Sequence, residues 1–261
     1  MQNADGTSYH TFGARGAPAI VLIHGLGLCQ KIWDPMLLKL ATSHYVITYD
    51  LYGHGDSLPC DETVSLAVYA RQILGVLNAL DITRADVVGF SIGGMINRRF
   101  ALDYPARLNR LVILNSPHDR GDAAQAAVLA RAMTVRELGA LATMDAALQR
   151  WFTDDFRTTH GATTQRVVDW RMRADGEGYA QAAWVLAAGV TELIAPKPAI
   201  DVATLVMTCE NDVGSTPDMA RAIVDEIAGA ELQVIPDLKH FGLMEQPDVF
   251  ANAILRFLRP S

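Results

Sequence analysis

The chain of 261 residues has few cysteines, few charged residues and no long apolar run. Its three cysteines, Cys29, Cys60 and Cys209, are odd in number and widely spaced, which fits neither a disulfide framework nor a metal-binding knuckle. Charged residues make up only 20% of the chain, with 22 Lys and Arg against 29 Asp and Glu. The net charge of −7 has the wrong sign for phosphate backbones or anionic lipids. We therefore expect no metal and no nucleic-acid partner.

Sequence features that target a chain to a membrane are also lacking. Residues 1–16 are polar and have no apolar core of the kind that a secretory signal needs. The first apolar run, at 19–23, is short, and no run reaches the roughly 18 apolar residues that span a bilayer. Together with the sparse cysteines, this predicts a cytoplasmic protein without a membrane partner.

Hydrophobic residues make up 50% of the chain, enough to bury a sizeable core in one large domain. Short β-branched runs recur, and their near-continuous apolarity is typical of parallel strands covered on both faces. We predict strands at 19–24, 45–50, 86–90, 110–115, 203–208 and 231–236, and helices at 65–80, 92–104, 217–228 and 247–258. This alternation predicts an α/β fold with a doubly wound, mostly parallel sheet.

The alternation stops between Ser116 and Pro198. This stretch is rich in Ala, Arg and Met, and its apolar residues have helical spacing. Candidate helices lie at 122–133, 135–141, 145–152, 163–173 and 178–188. We therefore predict an all-helical insertion at 116–198 in a core domain formed by residues 1–115 and 199–261.

The strongest motif is Gly89-Phe90-Ser91-Ile92-Gly93, which lies between a predicted strand and a predicted helix. A serine on such a sharp turn is held in a strained backbone, and glycines two residues before and after it relieve the crowding. Its hydroxyl is then exposed above the sheet, beside the N–H groups that begin the helix. We predict that Ser91 is a nucleophile; a helix N-cap between two glycines is the simpler alternative.

A serine nucleophile needs a base, and the base needs an acid that orients it. His240 has the fitting context among the seven histidines, because it lies on a loop between the last predicted strand and the last helix. The exit loop of the preceding strand carries Glu210 and Asp212, and we choose Asp212 because it lies farther into that loop. The chain order Ser91, Asp212, His240 is one of those known for this constellation.

The loop His24-Gly25-Leu26-Gly27-Leu28 follows the first buried strand. Its glycines let the backbone turn close to the nucleophile, so the N–H groups of Leu26 and Ile92 are predicted to form an oxyanion hole. An ordinary glycine turn is the alternative. We expect His24 to be structural, since it lies inside the end of the strand.

A second glycine-rich turn, at 50–57, follows the next strand and reads Asp-Leu-Tyr-Gly-His-Gly-Asp-Ser. It has neither the Lys-Ser/Thr ending of a phosphate loop nor the G-x-G-x-x-G spacing of a dinucleotide site. We expect a scaffold role for this turn, with His54 in a structural hydrogen bond. No cofactor is expected.

The order of these motifs across residues 19–258 resembles the α/β-hydrolase superfamily. The resemblance implies the α/β-hydrolase fold, with Ser91 as nucleophile, Asp212 as acid, His240 as base, and Leu26 and Ile92 as oxyanion donors. The turn 50–57 is similar to the D-x-x-G-x-G-x-S turn of the superfamily. The insertion at 116–198 falls where members carry a helical cap.

Within the superfamily the chain is most similar to the 3-oxoadipate enol-lactonases and related small lactonases and esterases. The similar segments are Leu26-Gly27-Leu28 leading to Trp33-Asp34-Pro35, Trp151-Phe152, Gly178-Tyr179-Ala180 and Glu245-Gln246-Pro247. The chain departs at 189–192, where Gly-Val-Thr-Glu stands instead of an expected charged Asp/Arg pair. The remaining candidates to receive a carboxylate are Arg131, Arg150, Arg171 and Arg173.

The resemblance implies a serine hydrolase that cleaves a small ester or lactone through an acyl-enzyme. We expect Trp151, Phe152 and Phe241 to contact a small-molecule substrate. Further pocket candidates are Trp170, Trp184, Met133, Met144 and Met172, with core packing as the alternative for each. Three other functions stay open: a carbon–carbon hydrolase, a perhydrolase, and a receptor that keeps the fold without catalysis. Both a monomer and a homodimer are compatible with the sequence.

Overall fold

The computed structural model describes residues 1–259 and contains one sheet of seven strands. In chain order, the strands are β1 Tyr9–Phe12, β2 Ala19–Ile23, β3 Tyr45–Tyr49, β4 Ala85–Phe90, β5 Leu108–Leu114, β6 Thr204–Cys209 and β7 Glu231–Ile235. Across the sheet, they lie in the order β1-β3-β2-β4-β5-β6-β7. Neighbours pair in parallel except at one edge, where β1 runs antiparallel to β3. The predicted α/β class and mostly parallel sheet are confirmed.

Helices cover both faces of this sheet. They are α1 Asp34–Leu40, α2 Leu66–Ala79, α3 Ile92–Asp103, α4 Asp122–Leu138, α5 Met144–Trp151, α6 Asp154–Thr159, α7 Gly161–Arg173, α8 Gly176–Ala188, α9 Pro217–Glu226, α10 Gly242–Glu245 and α11 Pro247–Phe257. Alternate residues of one strand belong to different cores: Val87 packs with α2, α3 and α9, whereas Val88 packs with α1 and α11. Both faces are buried, which explains the continuously apolar strands.

Helix starts follow the local sequence. Thr216 precedes α9 and accepts a hydrogen bond from the Met219 backbone N–H at 3.2 Å. Pro217 and Pro247 occupy the first turns of α9 and α11, as predicted, where the missing N–H has no helical acceptor to lose. No helix among residues 1–259 is long and apolar enough to cross a bilayer.

The segment between β5 and β6 contains the helices α4 to α8. Two details differ from the prediction. The helices expected at 122–133 and 135–141 are one helix, α4, because Thr134 stays helical and turns its Oγ1 back to the Ala130 carbonyl at 3.1 Å. Helix α6 was not predicted; it begins where Thr153 Oγ1 accepts from the Phe156 N–H.

The strand order changes direction at β2. The chain passes from β2 to β3 on one side, and later places β4 against the other side of β2. The loops that leave β2 and β4 therefore diverge and open a crevice at the carboxyl ends of the two strands. Gly25 and Ser91, from these two loops, line one cavity.

Candidate active site

Ser91 lies at the turn between β4 and α3, with φ 58° and ψ −117°. A positive φ is costly for a residue with a Cβ, so the surrounding structure must hold this backbone. The flanking glycines permit it: a Cβ on Gly89 would overlap the Gly93 carbonyl, and one on Gly93 would lie 2.6 Å from the Ile23 carbonyl oxygen. The spacing of the motif therefore reflects a turn in which three backbone segments are in contact.

His240 lies between Ser91 and Asp212 and bonds to both. Its Nε2 is 3.1 Å from Ser91 Oγ, and its Nδ1 is 2.6 Å from Asp212 Oδ2. Because the carboxylate only accepts, Nδ1 carries the proton, and Nε2 of the neutral ring is left to accept from the serine hydroxyl. All three side chains are buried. The structure thus brings the three predicted residues into one hydrogen-bonded chain.

Donors occupy both oxygens of the Asp212 carboxylate. Oδ1 accepts from the backbone N–H groups of Gly214 at 2.8 Å and Ser215 at 3.0 Å. Oδ2 accepts from Asn115 Nδ2 at 2.9 Å in addition to His240. Burial by itself would raise the pKa of Asp212, but the electrostatic attraction of the neighbouring His240 and these hydrogen bonds outweigh it and hold the pKa below its ordinary value. Asp212 is therefore held as an anion beside His240.

Asn115 is a further residue of this site, which the sequence analysis did not predict. It directly follows β5, is fully buried and has φ 45°. Its position after a buried strand beside β6, the strand that leads to Asp212, was the available signal. Glu210, the alternative acid, is exposed and accepts instead from the Asp237 backbone N–H at 3.1 Å.

The loop after β2 lies beside the nucleophile turn. A Cβ on Gly25 would lie 3.0 Å from the Phe90 ring, and Gly27 has φ 70°. Leu26, the first predicted oxyanion donor, lines the same cavity as Ser91. Ile92, the second, is the first residue of α3, so its N–H has no acceptor within the helix. Their role as a pair of oxyanion donors stays a prediction.

His24 and the turn 50–57 form a buried scaffold beneath this loop. His24 Nδ1 donates to the Gly25 carbonyl at 2.8 Å, and its Nε2 accepts from the Leu51 N–H at 3.0 Å. Burial lowers the pKa of His24 to about 4, so it stays neutral with both nitrogens engaged. His54 Nδ1 donates to the Tyr52 carbonyl at 3.0 Å. The expected structural roles of both histidines are confirmed.

A cavity of about 160 Å³ lies above Ser91 and is enclosed by the core and the helical insertion. Trp151 and Phe241 line it, and their rings stack with centroids 4.6 Å apart. Phe152, the third predicted substrate contact, is fully buried behind Phe241 and is not part of the cavity wall. This expectation is corrected, because Phe152 stacks on Phe156 within the core.

The other pocket candidates also lie elsewhere. Trp184, Met133 and Met172 are about half exposed on the outer surface, at 47%, 54% and 60%. Met144 is buried outside the cavity wall, and Trp170 lines a separate cavity near Cys29. Helical spacing alone did not show which face of each helix would be turned inward.

Arginines form the polar part of the cavity wall. Of the four carboxylate candidates, Arg131, Arg150 and Arg171 line the cavity, and Arg173 lines the separate cavity instead. Arg120, which was not predicted, completes the group. Within residues 1–259, no group of three or more His, Cys, Asp or Glu side chains is placed to hold a metal ion.

Comparison with known proteins agrees with this architecture. The model of the alpha/beta hydrolase family matches residues 20–253. The chain is 27% identical over 247 residues to 3-oxoadipate enol-lactonase 2 of Acinetobacter baylyi, covering 95% of this chain and 91% of the relative.

Solved structures of similar proteins include an enol-lactonase and an esterase. The enol-lactonase of Burkholderia xenovorans LB400 superposes with a TM-score of 0.89 at 30% identity, covering 97% of this chain and 96% of the other. A thermophilic esterase of Thermogutta terrifontis, crystallised with malate bound, has a TM-score of 0.86 at 26% identity, covering 97% and 93%. These matches confirm the resemblance inferred from the motifs. The chain belongs to the alpha/beta hydrolase family and is an enzyme whose relatives include lactonases and esterases.

Proposed function

We propose that this chain is a serine hydrolase that cleaves a small ester or lactone, with Ser91, His240 and Asp212 as its catalytic residues. The observation that carries the proposal is the continuous hydrogen-bonded chain from Ser91 Oγ through His240 to Asp212, at the floor of a partly open cavity. The enol-lactonases and the esterase among its relatives support an ester or lactone as the substrate.

Acylation begins when His240 Nε2 takes the proton from Ser91 Oγ as that oxygen attacks the substrate carbonyl carbon. The carbonyl oxygen becomes an oxyanion, and the N–H groups of Leu26 and Ile92 stabilise it. The tetrahedral intermediate then collapses: the acyl carbon–oxygen bond breaks, and His240 gives its proton to the leaving oxygen. In a lactone, that oxygen stays attached to the acyl group.

Deacylation repeats these steps with water. His240 takes a proton from the water as its oxygen attacks the acyl carbon, and then returns the proton to Ser91 Oγ. The product is a carboxylic acid. Asp212 stays ionised throughout, since its charge stabilises the protonated imidazole and its hydrogen bond fixes the ring with Nε2 toward Ser91.

The insertion at 116–198 acts in this proposal as a substrate-selecting cap on the core formed by residues 1–115 and 199–261. Its helices supply Trp151 from α5, Arg171 from α7 and Tyr179 from α8 to the cavity wall. The core supplies the reacting groups. A division of this kind separates substrate choice from bond cleavage.

Labelling with a fluorophosphonate probe tests the nucleophile. We expect the wild type and Ser116→Ala to be labelled and Ser91→Ala to remain unlabelled. Ser116 is a suitable control because it is also buried, but its hydroxyl accepts a hydrogen bond from Arg98, whereas the Ser91 hydroxyl donates one to His240. Equal labelling of Ser91→Ala, or an unlabelled wild type, would show that Ser91 is not the nucleophile.

Hydrolysis assays test the substrate class. A panel of unsubstituted lactones and of 4-nitrophenyl esters of graded acyl length is compared by kcat/KM. Turnover of both classes, lost in Ser91→Ala, is the expected result. Turnover restricted to short acyl esters would remove the lactone from the proposal.

A further inference from the structure

Four arginines, Arg120, Arg131, Arg150 and Arg171, line the cavity above Ser91. Among residues 1–259, none of the four has a carboxylate oxygen within 4.0 Å. The acid in the cavity wall is Asp212, whose oxygens are already occupied. Cations collected in a partly buried cavity without counter-charges are unfavourable unless a ligand supplies the negative charge.

Arg171 is the most constrained member of this group. Only 4% of it is exposed, and its guanidinium carbon lies 4.8 Å from the ring centroid of Tyr179 and 5.5 Å from that of Trp151. These aromatic faces fix the guanidinium plane. Its terminal nitrogens donate to Met144 Sδ and Thr143 Oγ1, both at 3.4 Å. Its Nε is buried and closed to a ligand. Each terminal nitrogen carries a second N–H, and these N–H groups can bind a carboxylate in the cavity that Arg171 lines.

The other three arginines differ in how far the protein already satisfies them. Arg120 donates to the Leu186 carbonyl at 2.9 Å and to Gln125 Oε1 at 3.0 Å. Arg131 is exposed to solvent. Arg150 is half-buried and has no hydrogen-bond acceptor among the described residues; burial lowers its pKa, and the charges of Arg131 and Arg171 lower it further. Arg150 and Arg171 are thus the two cations of the cavity wall that are at least half-buried and that neither a carboxylate nor a backbone carbonyl of the described chain neutralises.

We propose that the cap side of this cavity is a dianion subsite, in which Arg171 and Arg150 each receive one carboxylate of the substrate. The reaction of such a substrate rests on the proposed function, because its two carboxylates would lie away from the carbonyl group that Ser91 attacks. The binding of the dianion does not rest on the proposed function, since both arginines are separate from the Ser91, His240 and Asp212 chain.

A matched series of ligands tests the subsite. Glutarate, monomethyl glutarate and dimethyl glutarate have the same backbone but carry two, one and no negative charges. Their dissociation constants are measured by calorimetry on Ser91→Ala at low ionic strength, so that no ester is hydrolysed. We expect binding to weaken about tenfold with each charge removed, as for a lost hydrogen bond between charged partners.

Variants identify the arginines. Arg150→Gln is expected to remove most of the advantage of glutarate over monomethyl glutarate. Arg171→Lys keeps the charge but loses the stacked planar group, so we expect it to bind glutarate about tenfold more weakly. Arg166→Gln is the control, because Arg166 lies on the same helix, α7, but outside the cavity wall. Its affinities are expected to equal those of Ser91→Ala alone.

Equal affinities for the three ligands, or no binding of any of them, would overturn the subsite. An effect of Arg166→Gln as large as that of Arg150→Gln would also overturn it. If the charge preference is lost while the fluorophosphonate still labels Ser91, only the subsite is wrong. If the preference holds while Ser91 is unlabelled, only the proposed serine chemistry is wrong.

Discussion

Replacing Asn115 with leucine is expected to slow catalysis although Asn115 does not contact Ser91 or His240 through a hydrogen bond. Asn115 Nδ2 donates to Asp212 Oδ2 at 2.9 Å, and the same oxygen accepts from His240 Nδ1 at 2.6 Å. Asn115 therefore fixes the carboxylate that fixes the imidazole. Leucine has a similar shape but no donor, so the substitution removes this bond without opening a large cavity.

The size of the effect follows from the burial of the pair. Asn115 is 0% exposed and Asp212 2%, so water does not replace the lost donor. A hydrogen bond to a charged group contributes about 1.5–3 kcal/mol. If most of this stabilises the protonated imidazole in the transition state, kcat falls by about 10- to 100-fold. The backbone N–H of residue 115 still donates to the Met207 carbonyl, but leucine tolerates the φ of 45° less well than asparagine, so a loss of stability is expected beside the loss of rate.

The pH dependence separates this positioning role from a purely structural one. The pKa of Asp212 lies below its ordinary value, in part through the Asn115 hydrogen bond. A depressed carboxylate pKa keeps Asp212 ionised until the pH falls well into the acid range. Without Asn115 the pKa rises, so the acid limb of the kcat profile should move to higher pH.

The assay is hydrolysis of 4-nitrophenyl acetate across pH 3–9, with folding checked by urea unfolding. Asn97→Leu is the control, since Asn97 is equally buried and donates to the Val112 carbonyl of the same strand, β5. It should lose stability but keep its kcat and its acid limb. The reasoning is refuted if folded Asn115→Leu retains kcat within twofold of wild type, or if Asn97→Leu loses as much.

Two further substitutions test the strands and the turn that hold the site. Asp86 is 2% exposed, one of its carboxylate oxygens has no partner within the described chain, and burial raises its pKa to about 6. The folded state therefore binds a proton at Asp86 more tightly than the unfolded state does. As a result, the free energy of unfolding falls as the pH rises from about 4 to about 6. The ΔΔG of Asp86→Asn should therefore be about 2 kcal/mol more favourable at pH 7 than at pH 4 in urea unfolding, and an equal change in the exposed control Asp61→Asn would contradict this. Gly93→Ala places a Cβ 2.6 Å from the Ile23 carbonyl oxygen and should displace α3. We expect this displacement to lower the rate of fluorophosphonate labelling at least about tenfold. Gly16→Ala is the control, because its Cβ meets open space, and it should leave the labelling rate unchanged.

The core of the fold could be predicted from the sequence because its signals are local. Strands buried on both faces are continuously apolar, and turn residues mark their ends. Strand β1 was missed because it is an edge strand: Tyr9–Phe12 reads Tyr-His-Thr-Phe, and only Tyr9 is buried. An edge strand needs neither an apolar run nor a crossover helix, so neither signal was present.

The site, like the fold, could be predicted only where the sequence carries a local signal. Ser91, His240 and Asp212 each lie on a loop at the carboxyl end of a parallel strand, and a parallel sheet brings those ends together at one edge. Sequence position alone therefore predicts that they lie close to one another. Phe152 and Trp151 are neighbours on the chain, yet only Trp151 lines the cavity. Which of two adjacent residues faces inward depends on how the helical insertion packs, and no local pattern encodes that.

Net charge and local charge describe different properties of this chain. The value of −7 governs long-range attraction and disfavours anionic polymers, whose affinity depends on many surface cations and is screened beyond about 10 Å. The cavity wall contains four arginines in a partly buried space, where screening is weak and an anion a few ångströms away is bound strongly. The chain can thus repel a polyanion through its net charge and still select a small dianion inside. Within the proposal, the alanine- and arginine-rich composition of the insertion serves the second property, because alanines allow α4 and α8 to pack closely while Arg131, Arg150 and Arg171 of the cap helices line the cavity.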